Sequence, residues 1–164
     1  LQTNSNTTCN NPGDCVFYKN INIKKGYIRG FEFQYQYLYK LLSLNLNYNS
    51  LIGVDLENND HLSNIPADKL TSNISLRFLD DEYNVSFRNI YYFQQNRIPK
   101  NSSRENTQES SVFDIYSNWI PSKFKKKVIL RFAINNLTNL YYRKHLSSIS
   151  EPGRNFKIEL KYVF

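Results

Sequence analysis

Cysteine and histidine occur only twice each in the 164 residues, glycine and proline five times each, and methionine not at all. These shortages exclude several kinds of chemistry. No Gly-rich loop is present to cradle a phosphate, and no pair of carboxylates has a spacing suited to acid–base work. The histidines have no partner serine in a turn motif, so no nucleophilic triad can be assembled. The chain reads as a non-enzyme. Long apolar runs are lacking too. No stretch approaches the ~20 apolar residues of a membrane-crossing helix. The chain opens at Leu1 rather than at Met, and Leu1 to Asp14 is polar, with no signal peptide. The expectation is a fragment whose export signal lies upstream.

Aromatic residues, by contrast, are abundant: 13 Tyr and 11 Phe, in a chain only 40% hydrophobic with a mean hydropathy of −0.59. Such a balance suits strands in which every second residue is polar, as in a membrane barrel where one strand face meets lipid. The pattern has period two, the β signal. Phe31, Phe33, Tyr35, Tyr37 and Tyr39 alternate with Glu32, Gln34 and Gln36. Leu42, Leu44, Leu46 and Tyr48 alternate with Ser43, Asn45 and Asn47, and Leu70, Ile74, Leu76 and Phe78 with Thr71, Asn73, Ser75 and Arg77. Further segments are centred on Val85–Phe87, Phe113–Ile115 and Leu130–Phe132. The last runs through Phe156, Ile158, Leu160, Tyr162 and Phe164.

This predicts about seven antiparallel strands of ten residues or more. Soluble strands average ~5–6 residues, whereas tilted membrane strands need ~9–11. Tyr27, Tyr39, Tyr48, Tyr91, Phe93, Tyr162 and Phe164 fall near strand ends, where interfacial girdles sit. The connections alternate in length. Short turns are expected at Leu38–Leu41, Leu79–Glu82 and Pro121–Lys126, and long ones at Ile52–Lys69, Gln94–Ser110 and Asn136–Asn155. Outer-membrane barrels have short periplasmic turns and long extracellular loops. The fold class expected is therefore all-β, an antiparallel transmembrane β-barrel segment with its C-terminus periplasmic.

The net charge is +7. A basic balance can serve nucleic acid, anionic lipid or an acidic ligand. Nucleic acid would want the cations gathered on one face, yet the one dense run is Lys125–Lys127, which reads as a solvated turn. Cys9 and Cys15 flank Asn-Asn-Pro-Gly-Asp. Pro-Gly favours a turn that would bring the thiols together, so a disulfide and an oxidising compartment are expected. Two free thiols, or two metal ligands, are the alternatives. His61 and His145 each fall in a long loop. Either could ligate a haem iron from outside, and an ordinary exposed loop histidine is the plainer reading of each.

Five sequence words carry a family resemblance. They are Tyr18–Asn22 with Tyr27–Glu32, Asn64–Leu70, Val112–Tyr116, Ile134–Tyr142, and Glu151–Phe156 leading to a terminal Phe164. In this order they resemble the strands of TonB-dependent outer-membrane receptors, although Gly26 and Phe31 depart from that pattern. The Cys-containing first loop and the Pro152–Asn155 block are similar to the haem and haemoglobin/transferrin/lactoferrin branch. The resemblance implies a barrel of about twenty-two strands around an N-terminal plug, of which residues 26–164 would be the last seven strands and residues 1–25 an extracellular loop. It implies uptake of haem, or another iron-bearing ligand, energised through TonB. The plug, the earlier strands and the TonB-contacting segment would lie outside this chain. Haem, or a haem-carrying protein, would be cargo rather than cofactor. Leu160, Tyr162 and Phe164 look like the C-terminal signal read by the barrel-assembly machinery. A siderophore receptor, or a porin-like or adhesin-like barrel without active transport, is the alternative.

Overall fold

The computed structural model describes residues 25–164, and the expected Cys9–Cys15 bridge lies outside them. Eight strands form one antiparallel sheet. They are β1 (Gly26–Tyr39), β2 (Leu42–Asp55), β3 (Asp60–His61), β4 (Lys69–Phe78), β5 (Tyr83–Tyr92), β6 (Ser110–Trp119), β7 (Val128–Asn135) and β8 (Asn155–Tyr162). Seven pair in sequence order, and the two-residue β3 pairs with β2 off that path. The sheet does not close on itself, so β1 and β8 are its edges.

The period-two pattern becomes two unlike faces because the register is continuous across the sheet. One row runs Gln36, Asn45, Asn73, Arg88, Asp114, and the adjacent row runs Tyr37, Leu44, Ile74, Phe87, Ile115, Ile134, Phe156. The apolar face is the more exposed: Ile74, Leu76, Phe87, Phe132, Phe156, Ile158 and Leu160 all stand open. A groove of about 950 Å³ runs along Asn73, Arg88, Tyr116, Asn118 and Arg131 of the polar face. Among the described residues the buried apolar side chains are few, Ile65, Val112 and Pro121. A soluble sandwich would hide its apolar face. Here it turns outward, as a barrel wall does toward lipid.

Aromatic rings mark both ends of the outer face. Phe31, Tyr48, Phe93 and Tyr91 form a chain of contacts with centroids 6.1, 5.9 and 4.8 Å apart. At the opposite end Phe78 meets Tyr83 at 4.8 Å, and Tyr162 meets Phe164 at 5.1 Å. From Tyr83 to Phe93 the chain climbs about 33 Å, or roughly 25 Å along the membrane normal at a tilt of ~40°, the height of an apolar band.

Every long loop lies at one end of the sheet and every short turn at the other. The β1–β2 turn is only Lys40–Leu41, with Lys40 left-handed (φ 48°). The β4–β5 turn passes through three left-handed residues, Leu79, Asp80 and Asp81. The β6–β7 turn carries a 3₁₀ segment, Ser122–Phe124. Ser122 hydrogen-bonds the Glu82 carboxylate through its side chain and backbone and holds it below its ordinary range. That contact ties two neighbouring turns together. The Lys125–Lys127 run is exposed in this turn, as expected.

Three expectations need correction. Strands β7 and β8 have eight residues each, not ten or more. Their ladder stops at Asn135–Asn155 because Asn136 turns left-handed (φ 52°) and gives its N–H to a side chain. Strand β2 runs to Asp55, past Ile52, where the period-two pattern lapses. The lapse has a cause: Ile65 folds over Gly53, and a Cβ there would lie 2.8 Å from Ile65 Cδ1 and 3.0 Å from Leu62 Cβ. Gly53 is buried under this cover, so its position carries no side chain that could mark the alternation. The short β3 was not expected at all.

The face assignment is testable in folding titrations of the complete barrel into lipid. Leu44→Arg and Leu130→Arg, on the outer face, should each cost about 2–4 kcal/mol near the bilayer midplane. Asn45→Arg, on the polar face, should cost far less. Equal costs would reject the assignment.

Candidate functional site

The polar face is held by one network at its upper end. Asp114, only 2% exposed, projects inward from the middle of β6. Its Oδ2 accepts from Arg88 Nε and Nη2 at 2.9 and 2.6 Å, and from the Tyr116 hydroxyl at 3.3 Å. Its Oδ1 accepts the Asn136 backbone N–H at 2.8 Å. The Arg88 guanidinium also lies 4.9 Å from the centroid of the Tyr116 ring, a cation–π contact. A buried carboxylate is expensive unless paired and hydrogen-bonded, and Asp114 has both kinds of partner.

From Asp114 the network passes to the loop between β7 and β8. The Asn136 amide donates to the Leu140 and Pro152 carbonyls at 2.8 and 3.1 Å, and its oxygen accepts the Leu140 N–H at 2.8 Å. Asn139, also left-handed, accepts the Arg154 N–H at 2.8 Å, and Arg154 Nε donates to the Leu137 carbonyl at 2.9 Å. Two asparagines thus cinch both ends of a long loop. They suit the place because Asn tolerates the left-handed region and offers a donor and an acceptor. Within the loop, Lys144 pairs with Glu151 at 3.0 Å, and Tyr142 stacks on Tyr92 of β5 with centroids 6.1 Å apart. Burial opposes the Lys144 charge most strongly, but the hydrogen bond to Glu151 together with the charges of Tyr92, Glu151 and Tyr142 outweighs it and raises the pKa.

Gln95 anchors a second loop. It is fully buried, and its amide donates to the Ile65 and Pro66 carbonyls at 3.3 and 2.9 Å. Its oxygen accepts from Arg97, which pairs with Asp68 at 2.7 Å. Backbone hydrogen bonds join Gln95 and Thr107 in both directions.

The two histidines stand at the long-loop end but are not brought into one site. His61 lies in β3, paired with Val54 of β2. Its backbone N–H donates to Asp60 Oδ1 at 2.8 Å, and its Nδ1 is enclosed with no hydrogen-bond partner among the described residues. Asp60 is held below its ordinary range, chiefly by the Lys100 N–H. His145 Nδ1 lies 2.8 Å from Thr107 Oγ1, in a pocket that His61 does not line. Among the described residues no group of three or more His, Cys, Asp or Glu is arranged to hold a metal ion. Leu160, Tyr162 and Phe164, expected to form an assembly signal, stand exposed at the open edge.

The sequence reading missed Arg88, Gln95 and Asn136 as site-forming residues. The available signal was an Arg and an Asp on polar faces of consecutive strands, where solvent-filled walls usually carry Asn and Ser. Gln95 gave none, since a loop glutamine is ordinarily exposed.

Two outcomes follow. Asp114→Ala strands the Arg88 charge and the Asn136 N–H together. It should cost about 3 kcal/mol, the lower end for breaking a buried pair because Arg88 stays partly solvated; denaturant midpoints of the complete barrel would show it. His145 should titrate below its ordinary value near 6.5, first because it is buried and then because Arg104 and Arg143 face it. Its neutral form therefore favours the packed loop. That contribution is full above pH 6.5 and is lost as pH falls through the lowered folded value. Ring NMR of the labelled protein should show the low midpoint, and Arg104→Ala should raise it.

Comparison with known proteins agrees with this geometry. The family model described as "TonB dependent receptor-like, beta-barrel" matches residues 1–137. Heme/hemopexin utilization protein C of Haemophilus influenzae (strain ATCC 51907 / DSM 11121 / KW20 / Rd) is 33% identical over 145 residues, covering 87% of this chain and 20% of that protein. TonB-dependent heme receptor A of Haemophilus ducreyi (strain 35000HP / ATCC 700724) is 24% identical over 181 residues, covering 99% of this chain and 24% of the receptor. The chain thus spans about a fifth to a quarter of the curated relatives it matches. Among solved structures, Copper transporter OprC superposes with a TM-score of 0.77 at 17% identity, over 85% of this chain and 24% of OprC. The FrpB iron transporter from Neisseria meningitidis (F5-1 variant) gives 0.68 at 16% identity, over 84% and 24%. These two likenesses concern the fold alone. With the family model covering most of its length, the chain belongs to the TonB-dependent receptor-like β-barrel family.

Proposed function

We propose that this chain forms part of the barrel wall of an outer-membrane receptor that takes up haem, or another iron-bearing ligand, with energy delivered through TonB. The observation that carries the reading is the 33% identity to a heme/hemopexin utilization protein across 87% of the chain. The geometry is compatible with it: the outer face is apolar, the inner face polar, and the loops at one end are anchored to the wall. The short turns and the end of β8 face the periplasm, and the long loops face outward. The remaining strands of the receptor pair with β1 and β8, and its plug fills the polar face and meets TonB. His61 and His145, both on the loop side, are the candidate ligands of a haem iron. The cargo is haem itself or a haem-carrying protein.

The test is growth. The complete receptor, expressed in a haem-requiring host without its own haem receptors, should support growth on haemin. Growth should cease when TonB is deleted. A surface-displayed receptor that gives no growth, or growth that ignores TonB, would overturn the reading. The role of the last strand is tested separately. Tyr162 and Phe164 share the outer face at the edge, as a segment handed to the barrel-assembly machinery requires. Deleting Phe164 from the complete receptor should lower its surface level several-fold, and an unchanged level would leave these residues as interfacial anchors only.

A further inference from the structure

Two long loops converge above the barrel wall, and the meeting point is the contact between Thr107 and His145. Each side is fixed independently. Thr107 is held by its paired backbone bonds to buried Gln95. The segment around His145 is held by the Lys144–Glu151 pair, by the Glu151 N–H donated to the Tyr142 carbonyl at 2.9 Å, and by the stack of Tyr142 on Tyr92. What surrounds this junction is therefore a consequence of tertiary structure, not of a floppy loop.

Two hollows share that junction. One, about 310 Å³, is walled by Arg104 and Glu105 from the β5–β6 loop and by Arg143, Lys144 and His145 from the β7–β8 loop. The other, about 530 Å³, is walled by Tyr91, Leu140, Tyr141 and Tyr142 and also by Glu109. Thr107 and Arg143 line both. The pair thus offers an aromatic trough that opens onto a cationic pocket.

The charges in the pocket are unbalanced. Lys144 is already satisfied by Glu151. Glu109 accepts the Tyr91 hydroxyl at 2.7 Å and stands in the other hollow. Arg104 and Arg143 are exposed and join no salt bridge among the described residues. Glu105 is the one carboxylate on the wall. Arg104 and Arg143, from different loops, thus face one pocket that holds a single carboxylate, so its wall carries excess positive charge and favours an anion. A guanidinium presents its donors in a planar fork that fits a carboxylate. Burial is the first cause of the lowered pKa of His145, and the charges of Arg104 and Arg143 add to it.

We propose that Arg104 and Arg143 form a carboxylate subsite for a ligand made of a flat apolar ring with acid arms, the ring lying along Tyr141 and Tyr142. On the haem reading given above, on which this rests, the arms are the propionates of the tetrapyrrole. Arg104 and Arg143 are specificity-determining residues in that account, because they distinguish a charged tetrapyrrole from an uncharged one.

The experiment uses the complete receptor, purified in detergent and titrated with haemin and with haemin dimethyl ester, whose acid arms carry no charge. The wild type should bind haemin at least about tenfold more tightly than the ester, the effect of one or two charge-assisted hydrogen bonds. Arg104→Gln with Arg143→Gln should remove most of that preference by weakening haemin alone. Both residues are exposed, so the fold should be unaffected. Equal affinity of the wild type for the two compounds would overturn the subsite while leaving haem uptake standing. A preference that survives the double substitution would also overturn it, because the propionates would then be met elsewhere. If neither compound binds the wild type, the haem reading fails and the subsite falls with it.

Discussion

Backbone hydrogen bonding in a solvent that offers none is the constraint from which the other features follow. Inside hydrocarbon every N–H and C=O must find a partner within the protein, at several kcal/mol for each failure. A helix meets this demand locally and needs a long apolar run, which this chain lacks. Strands meet it only by pairing with neighbours, so the seven long strands form one uninterrupted antiparallel ladder. Once the ladder is imposed, alternate side chains must face opposite solvents. The composition follows from that: apolar and aromatic side chains outward, Asn, Ser, Gln and charges inward. The open edges at β1 and β8 are the places where the demand is not met within this chain, and a closed barrel removes them.

A wall built this way is uniform, and a receptor needs loops placed reproducibly at its rim. The structure achieves this with a few buried polar groups rather than a core. Asp114, Asn136 and Gln95 are among the most buried side chains described; the first two join the sheet to a loop, and Gln95 joins one long loop to another. A polar group so enclosed is stabilising only when all its bonds are made together, so such groups favour one arrangement strongly. Asp114 connects strand β6 to Arg88 on β5 and to the start of the β7–β8 loop, and Asn136 connects that start to Pro152 near the loop's end. Three of the resembling sequence words, those containing Asp114, Asn136 and Pro152, meet in this knot. Their shared role is mechanical: they fix where the loop leaves and rejoins the wall.

The rim then carries chemistry that the wall does not. His145, Arg104 and Arg143 stand close because the Gln95 and Asn136 anchors bring two separate loops to one height. His61 is held apart in the small β3 hairpin, under the control of a different contact, Ile65 over Gly53. The loop end is thus divided into distinct local environments, one aromatic and cationic, the other more enclosed, each set by its own anchor in the sheet.

The sequence alone determined the seven long strands, their order, the inward and outward faces and the alternation of short turns with long loops. It could do so because period-two patterning is imposed residue by residue by two immiscible surroundings, and each strand of the ladder repeats it. Where a loop side chain covers the strand, as Ile65 covers Gly53, the pattern faded and the reading stopped short of Asp55. Where a loop residue is wholly enclosed, as with Gln95, composition pointed the wrong way. The convergence of Arg104 with Arg143, and the separation of His61 from His145, belonged to tertiary structure alone. Nothing in a loop's own residues encodes its distance from another loop; that distance is set by the buried hydrogen bonds that tie each loop to the common sheet.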